Sequence, residues 1–101
     1  MQYLVIAHDG TDPEAQARRQ AIRSTHLDGI RPLVEQGKIL VGGAILDEAG
    51  AMVGSVVIAN FASKAELNAW LEVEPYVTGG VWATVDVRPF RPAVGAWMPD
   101  A

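Results

Sequence analysis

The sequence contains no cysteine. That excludes a disulfide framework, a thiolate nucleophile and any thiolate metal site, and it suits a cytoplasmic protein, the compartment expected here. Basic residues are scarce. Lys and Arg number 8 against 12 Asp and Glu, for a net charge of -4 and a pI near 4.9. They form no run, so nucleic acid is not an expected partner, because its binders carry a basic patch. No apolar stretch approaches the roughly 20 residues that cross a bilayer, so no membrane partner is expected either. The start, Met1 to Asp9, lacks the basic region and extended apolar core of a signal peptide. Aromatics make up only 7%. Trp70, Trp82 and Trp97 are expected in a core or interface rather than as a stacking platform. There are only 2 histidines, so imidazole chemistry must use His8 or His26.

The 101 residues are 50% hydrophobic and 20% charged, which predicts one globular domain, residues 1–91, with a C-terminal tail over 92–101. Tyr3 to Ala7 is an apolar run of β-formers, and Asp9-Gly10-Thr11-Asp12-Pro13 reads as the turn that ends it. A helix follows, with Asp12 as N-cap, Pro13 at its first position and Glu14 in its first turn. Gln36-Gly37 closes it with a glycine suited to positive φ. Lys38 to Leu46 reads as a second strand, whose Gly42-Gly43 suggests a bulge or a close backbone approach. Asp47 to Gly50 reads as a hairpin loop with flanking residues to Val53. Ser55 to Phe61 is a third strand whose run Val56-Val57-Ile58-Ala59 barely alternates, as if both faces were covered. Ser63-Lys64-Ala65-Glu66 is a capping box that opens a second helix, and Pro75 stops it. Thr78-Gly79-Gly80 is a turn. Val81 to Phe90 is a fourth strand, with Trp82 on the face opposite its valines.

The order βαββαβ predicts an α+β, ferredoxin-like antiparallel sheet with two helices on one face. The uncovered face needs a partner. The expected partner is a second copy packed sheet against sheet, a homodimer or higher homo-oligomer that makes a dimeric α+β barrel.

At about 100° per residue, Ile22, Leu33, Ile30, Val34 and Leu27 form one stripe about 140° wide. His26, Arg19 and Arg23 fall inside it. Buried polar groups need partners. One reading is a core histidine satisfied by backbone, with arginines reaching the rim along their apolar stems. The other is a site, since a neutral imidazole near physiological pH is a usable general base. Glu74 stands at the end of the second helix on the side of Leu67 and Leu71, either as a solvated acid or as a partner for His26. Asp9 is a turn residue or a second acid. Ser55 has no base at local spacing and no Gly-x-Ser-x-Gly, so a serine hydrolase is not indicated. His8, Asp9, His26 and Glu74 lack metal-ligand spacing, so no metal is expected.

These pieces, in order, resemble the YCII-related (YciI-like) family. They are the strand ending in Asp9; Arg19, Arg23 and His26-Leu27; Gly37-Lys38-Ile39-Leu40 leading to Gly43; Gly54-Ser55; Glu74-Pro75-Tyr76-Val77; and Val87-Arg88-Pro89-Phe90. The resemblance implies a ferredoxin-like fold, a dimeric α+β barrel, and a histidine and an aspartate with an enzymatic role. The histidine corresponds to His26. The aspartate of the usual Asp-Pro-Tyr or Asp-Pro-Phe piece corresponds to Glu74, one methylene longer. The Gly-Pro that usually follows the second strand reads Gly43-Ala44 here. A relative that removes chloride from a chlorinated hydroxyquinol supplies the best-defined chemistry.

The expected function is therefore a small enzyme that uses no cofactor. It would perform proton transfer next to a carbonyl, elimination, isomerisation or dehydrochlorination on a small carbonyl or aromatic acid. His26 would be the base, Glu74 or Asp9 would orient it or act as acid, Arg19 or Arg23 would hold an anionic group, and Ser55 and Tyr76 would supply hydrogen bonds. The alternative is a non-catalytic module that binds small anions or assembles as a dimer. A haem- or oxygen-using protein of the same barrel type would have only His8 or His26 as axial ligands.

Overall fold

A computed structural model describes residues 1–96. The elements run β1 (Gln2–Asp9), α1 (Ala15–Glu35), β2 (Ile39–Leu46), β3 (Met52–Asn60), α2 (Lys64–Val73), α3 (Pro75–Thr78) and β4 (Trp82–Pro89). The sheet order is β2-β3-β1-β4, and every pairing is antiparallel. The helices lie on one face, so the ferredoxin-like reading is correct. No helix among the described residues is long and apolar enough to cross a membrane. Trp97 and the rest of the tail beyond residue 96 lie outside the described residues.

Several local expectations need correction. Asp12 does not cap α1, because its carboxylate is bound by Arg18 at 2.7 Å. The helix begins at Ala15, with Glu14 as an N-cap that makes no side-chain bond. Asp9 is not a turn residue but the last residue of β1, with its side chain buried. β3 starts at Met52, inside the stretch read as loop. Pro75 ends α2 but also starts α3, a helix of 4 residues, where its missing N–H loses nothing. The register runs unbroken through Gly42 and Gly43 and shifts instead beside Leu40 and between Ile45 and Leu46. Val34, assigned to the apolar stripe, is 48% exposed. The C-terminal glycine of α1 is as expected, with Gly37 at φ 74.

The largest correction concerns Trp82. The β1–β4 register pairs His8 with Thr84 but Asp9 with Trp82, so Ala83 is an extra residue in β4. One extra residue reverses the facing of what lies beyond it. Trp82 therefore joins the helix-facing side, 5% exposed, packed with Ala7, Tyr76 and Val81.

The main core lies between the sheet and α1–α2. Tyr3 and Val5 of β1, Val57 and Ala59 of β3, Ile39, Ile30 and Leu67 fill it. Full burial of a side chain such as Leu67 stabilises the fold by about 1.5–3 kcal/mol. The opposite sheet face has no helix over it. Pairing places Leu4 beside Ile58, Ile6 beside Val56 and Val41 beside Ile58 on that face. It is an apolar strip, with Asp86 and Arg88 of β4 at its side.

Candidate active site

Arg19, Arg23, His26 and Ile30 recur at the spacing that keeps residues on one side of a helix. α1 presents them toward the sheet, with Arg19 and His26 buried and Arg23 exposed at the edge. His26 Nδ1 lies 2.5 Å from Glu74 Oε1, and both residues are buried.

Local sequence fixes Glu74. α2 ends at Val73, and Glu74 turns to extended backbone at φ -65, ψ 125. Its carboxylate caps α3 by accepting the Tyr76 N–H at 3.0 Å. Pro75 locks the intervening φ. Tyr76 then stacks on the His26 ring, 3.9 Å between centroids with the planes 11° apart. The Glu-Pro-Tyr segment thus supplies both the acid and the platform for the imidazole. A carboxylate only accepts hydrogen bonds, so Nδ1 carries the hydrogen and Nε2 of the neutral ring carries the lone pair. Nε2 meets no partner among the described residues.

A second network lies beside the first. Arg19 Nη1 donates to both oxygens of Asp9, at 2.9 and 2.8 Å. Arg19 Nη2 donates to Ser55 Oγ at 3.0 Å, and Trp82 Nε1 donates to the same oxygen at 3.1 Å. The Arg19 guanidinium also lies 4.9 Å from the Tyr76 ring centroid. Asp9 was a candidate partner for His26, but the fold gives that place to Glu74 and binds Asp9 to Arg19. Arg19 was a candidate anion holder, yet Nη1 and Nη2 are both engaged inside the protein. Its Nε has no partner among the described residues.

Between α1 and β2–β3 opens a cavity of about 230 Å³. Arg19, Arg23, His26, Ser55 and Tyr76 form its polar wall, and Leu27 and Ile30 are among its apolar lining. Asp9 and Glu74 do not line it; each stands behind a residue that does. Gly42 and Gly43 also border the cavity, and a Cβ on Gly42 would meet Val57 at 3.7 Å and Ile30 at 4.0 Å. The glycine pair keeps this wall low. Burial pushes the Tyr76 phenol above its usual range, so it is a neutral hydroxyl at physiological pH. His8 is exposed, away from the cavity wall. Among the described residues no group of three or more His, Asp or Glu is placed to hold a metal ion. Trp82 is the site residue that the sequence did not indicate, and its signal lay in the one-residue misfit of β4.

Residues 1–91 match the YCII-related domain. The chain belongs to the YCII-related family. It is 34% identical to Protein YciI of Escherichia coli O6:H1 over 97 residues, covering 90% of this chain and 97% of that protein. Among solved structures it is similar to 5-chloro-2-hydroxyhydroquinone dehydrochlorinase (TftG) from Burkholderia phenoliruptrix AC1100, in complex with 2,5-dihydroxybenzoquinone. The TM-score is 0.78 at 27% identity, covering 90% of this chain and 94% of that one. A dimeric ferredoxin-like protein from Jannaschia sp. CCS1 shares the fold, with a TM-score of 0.52 at 13% identity over 90% of this chain and 98% of that one.

Proposed function

We propose that this YCII-related protein is a cofactor-independent acid–base enzyme acting as a homodimer on a small carbonyl or hydroxylated ring compound, with dehydrochlorination as the leading reaction. The observation that carries this reading is the buried His26–Glu74 pair, whose imidazole lines a cavity. The similarity to TftG supports the choice of reaction. The cavity suits a single ring, since a smaller apolar cavity of about 150 Å³ holds benzene.

In this reading Glu74 orients the imidazole and stabilises the imidazolium that forms, while Nε2 takes a proton from the substrate. The proton comes from a hydroxyl or from a carbon next to a carbonyl. The electron pair it leaves behind forms an enolate, held near Arg23, with Ser55 and Tyr76 supplying hydrogen bonds. Collapse of the enolate expels chloride with its bonding pair, so the substrate loses one proton and one chloride in total and no oxidant is needed. Return of the proton to another carbon gives isomerisation by the same machinery. Asp9 neutralises Arg19 from behind the cavity wall.

The apolar strip on the open sheet face supports the homodimer. It buries its residues only if a second sheet covers it. The absence of cysteine fits a cytoplasmic setting.

The test is chloride release from chlorinated hydroxyquinols. His26→Ala is expected to stay folded, by circular dichroism and thermal unfolding, and to lose turnover. Undiminished turnover in His26→Ala would exclude this mechanism. If no member of a panel of chlorinated hydroxyquinols and small keto acids turns over, while small carboxylates bind and shift the His26 resonances, the anion-binding module is the better reading.

A further inference from the structure

Ser55 Oγ is an sp³ oxygen with two lone pairs and one hydrogen. Arg19 Nη2 and Trp82 Nε1 both donate to it, at 3.0 and 3.1 Å. Neither group is able to accept, because guanidinium and indole N–H are donors only. Both lone pairs are therefore used, and the hydroxyl hydrogen must leave in the remaining direction. No acceptor among the described residues takes it. Ser55 is buried and lines the cavity.

A serine hydroxyl normally rotates to suit whatever faces it. This one has lost that freedom. It can offer a hydrogen to the cavity and has no lone pair left to accept one. Arg19 is itself held against rotation by its two bonds to Asp9. Trp82 is held by packing against Tyr76, with ring centroids 5.7 Å apart. The polarity of the hydroxyl is set before any ligand arrives, which is the arrangement that stabilises developing negative charge best.

We propose that Ser55 is a fixed-polarity donor for the anionic oxygen of the substrate, an enolate or phenolate, and that Trp82 is the positioning residue that fixes the polarity. This rests on reading the cavity as the acid–base site, and it specifies the ligand. The substrate presents a proton to His26 and an accepting oxygen to Ser55. Arg23, on the same cavity wall, adds positive charge. A ligand offering a hydroxyl hydrogen to Ser55 is rejected, because two hydrogens then face each other.

The experiment measures binding rather than turnover. Wild-type protein is titrated with a series of chloro- and nitrophenolates of graded basicity, each ionised at the working pH, and with the neutral form of the same phenols at lower pH. Affinity is expected to rise with phenolate basicity. Ser55→Ala is expected to lose about 10- to 100-fold in phenolate affinity, the range of a hydrogen bond to a charged group, and to lose the dependence on basicity. Ser55→Thr, which keeps the hydroxyl on a β-strand, is expected to retain both. Trp82→Phe frees one lone pair and is expected to narrow the preference for phenolate over neutral phenol. Ser55→Ala binding the series as wild type does would overturn the proposal. Equal losses in Ser55→Ala and Ser55→Thr would assign Ser55 to packing alone and overturn it too. His26→Ala is expected to keep the dependence on basicity, so failure of the base and failure of the donor are separately visible.

Discussion

Glu74 holds His26 and starts a helix with the same oxygen: Oε1 lies 2.5 Å from His26 Nδ1 and accepts the Tyr76 N–H at 3.0 Å. The two tasks are separable. In Glu74→Gln the amide oxygen can still cap α3, but the negative charge beside the imidazole is gone. Turnover is expected to fall by about 10²-fold or more while stability changes little. Steady-state rates and the ¹⁵N shifts of the His26 ring, which report the tautomer, check this. Glu74→Asp keeps the acid but draws the carboxylate back by about 1.5 Å. It is expected to keep the cap, lengthen the bond to His26 and fall between wild type and Glu74→Gln in rate.

The Asp9–Arg19 ion pair is buried, with both side chains 3% exposed. Arg19→Met leaves a carboxylate without its partner in the interior. The expected loss is about 3–5 kcal/mol, read from urea unfolding. Asp9→Asn combined with Arg19→Met is expected to be less destabilising than Arg19→Met alone, because the stranded charge is removed. A double-mutant cycle that shows strict additivity would contradict this.

The phenol of Tyr76 sets an alkaline limit. In the unfolded chain it titrates near 10.0, and burial raises it in the folded protein. Between the two values the unfolded chain has released a proton that the folded chain keeps. Unfolding then releases protons and is favoured as pH rises. The contribution is complete below about 10 and is lost as pH climbs through the folded value. Urea midpoints are expected to decline above pH 10 and to decline less in Tyr76→Phe.

Much of the fold and part of the site were legible in the sequence. The capping box at Ser63 and the positive-φ glycine at Gly37 are local signals, and local hydrogen bonding realised them. His26 was visible as a polar residue within an apolar stripe, and the family resemblance supplied Glu74 as its partner. The other pairings were not visible. Nothing near Asp9 in sequence shows that Arg19 and not His26 will meet it, because that depends on how α1 crosses the sheet. Trp82 was assigned to the wrong face by strict alternation, and a bulge is a property of two strands together.

Gly54 marks how closely β1 and β3 approach. A Cβ there would stand 2.5 Å from the Ala7 carbonyl oxygen and 3.1 Å from Ile45 Cδ1. The first of these is backbone and has no room to give. Gly54→Ala is expected to destabilise the protein by about 1–3 kcal/mol. Because Ser55 is the next residue, the shift is also expected to weaken phenolate binding, measured on the folded fraction.

The open sheet face predicts an oligomer that a single charge disrupts. Val56 lies at its centre, paired with Ile6 and Gly43. The wild type is expected to sediment as a dimer and Val56→Asp as a monomer, with the helix-side core intact by near-ultraviolet circular dichroism. A wild-type chain that sediments as monomer at all concentrations would remove the homodimer from the proposed function.

The extra residue at Ala83 reaches further than strand geometry. Were Ala83 paired with Asp9 in strict alternation, the indole would face away from the helices and its N–H would not meet Ser55. In that register every cavity-lining residue would still be in the chain, yet the serine would regain an accepting lone pair. In this protein the hydrogen-bonding alphabet that the cavity reads depends on which residue of β4 pairs with Asp9.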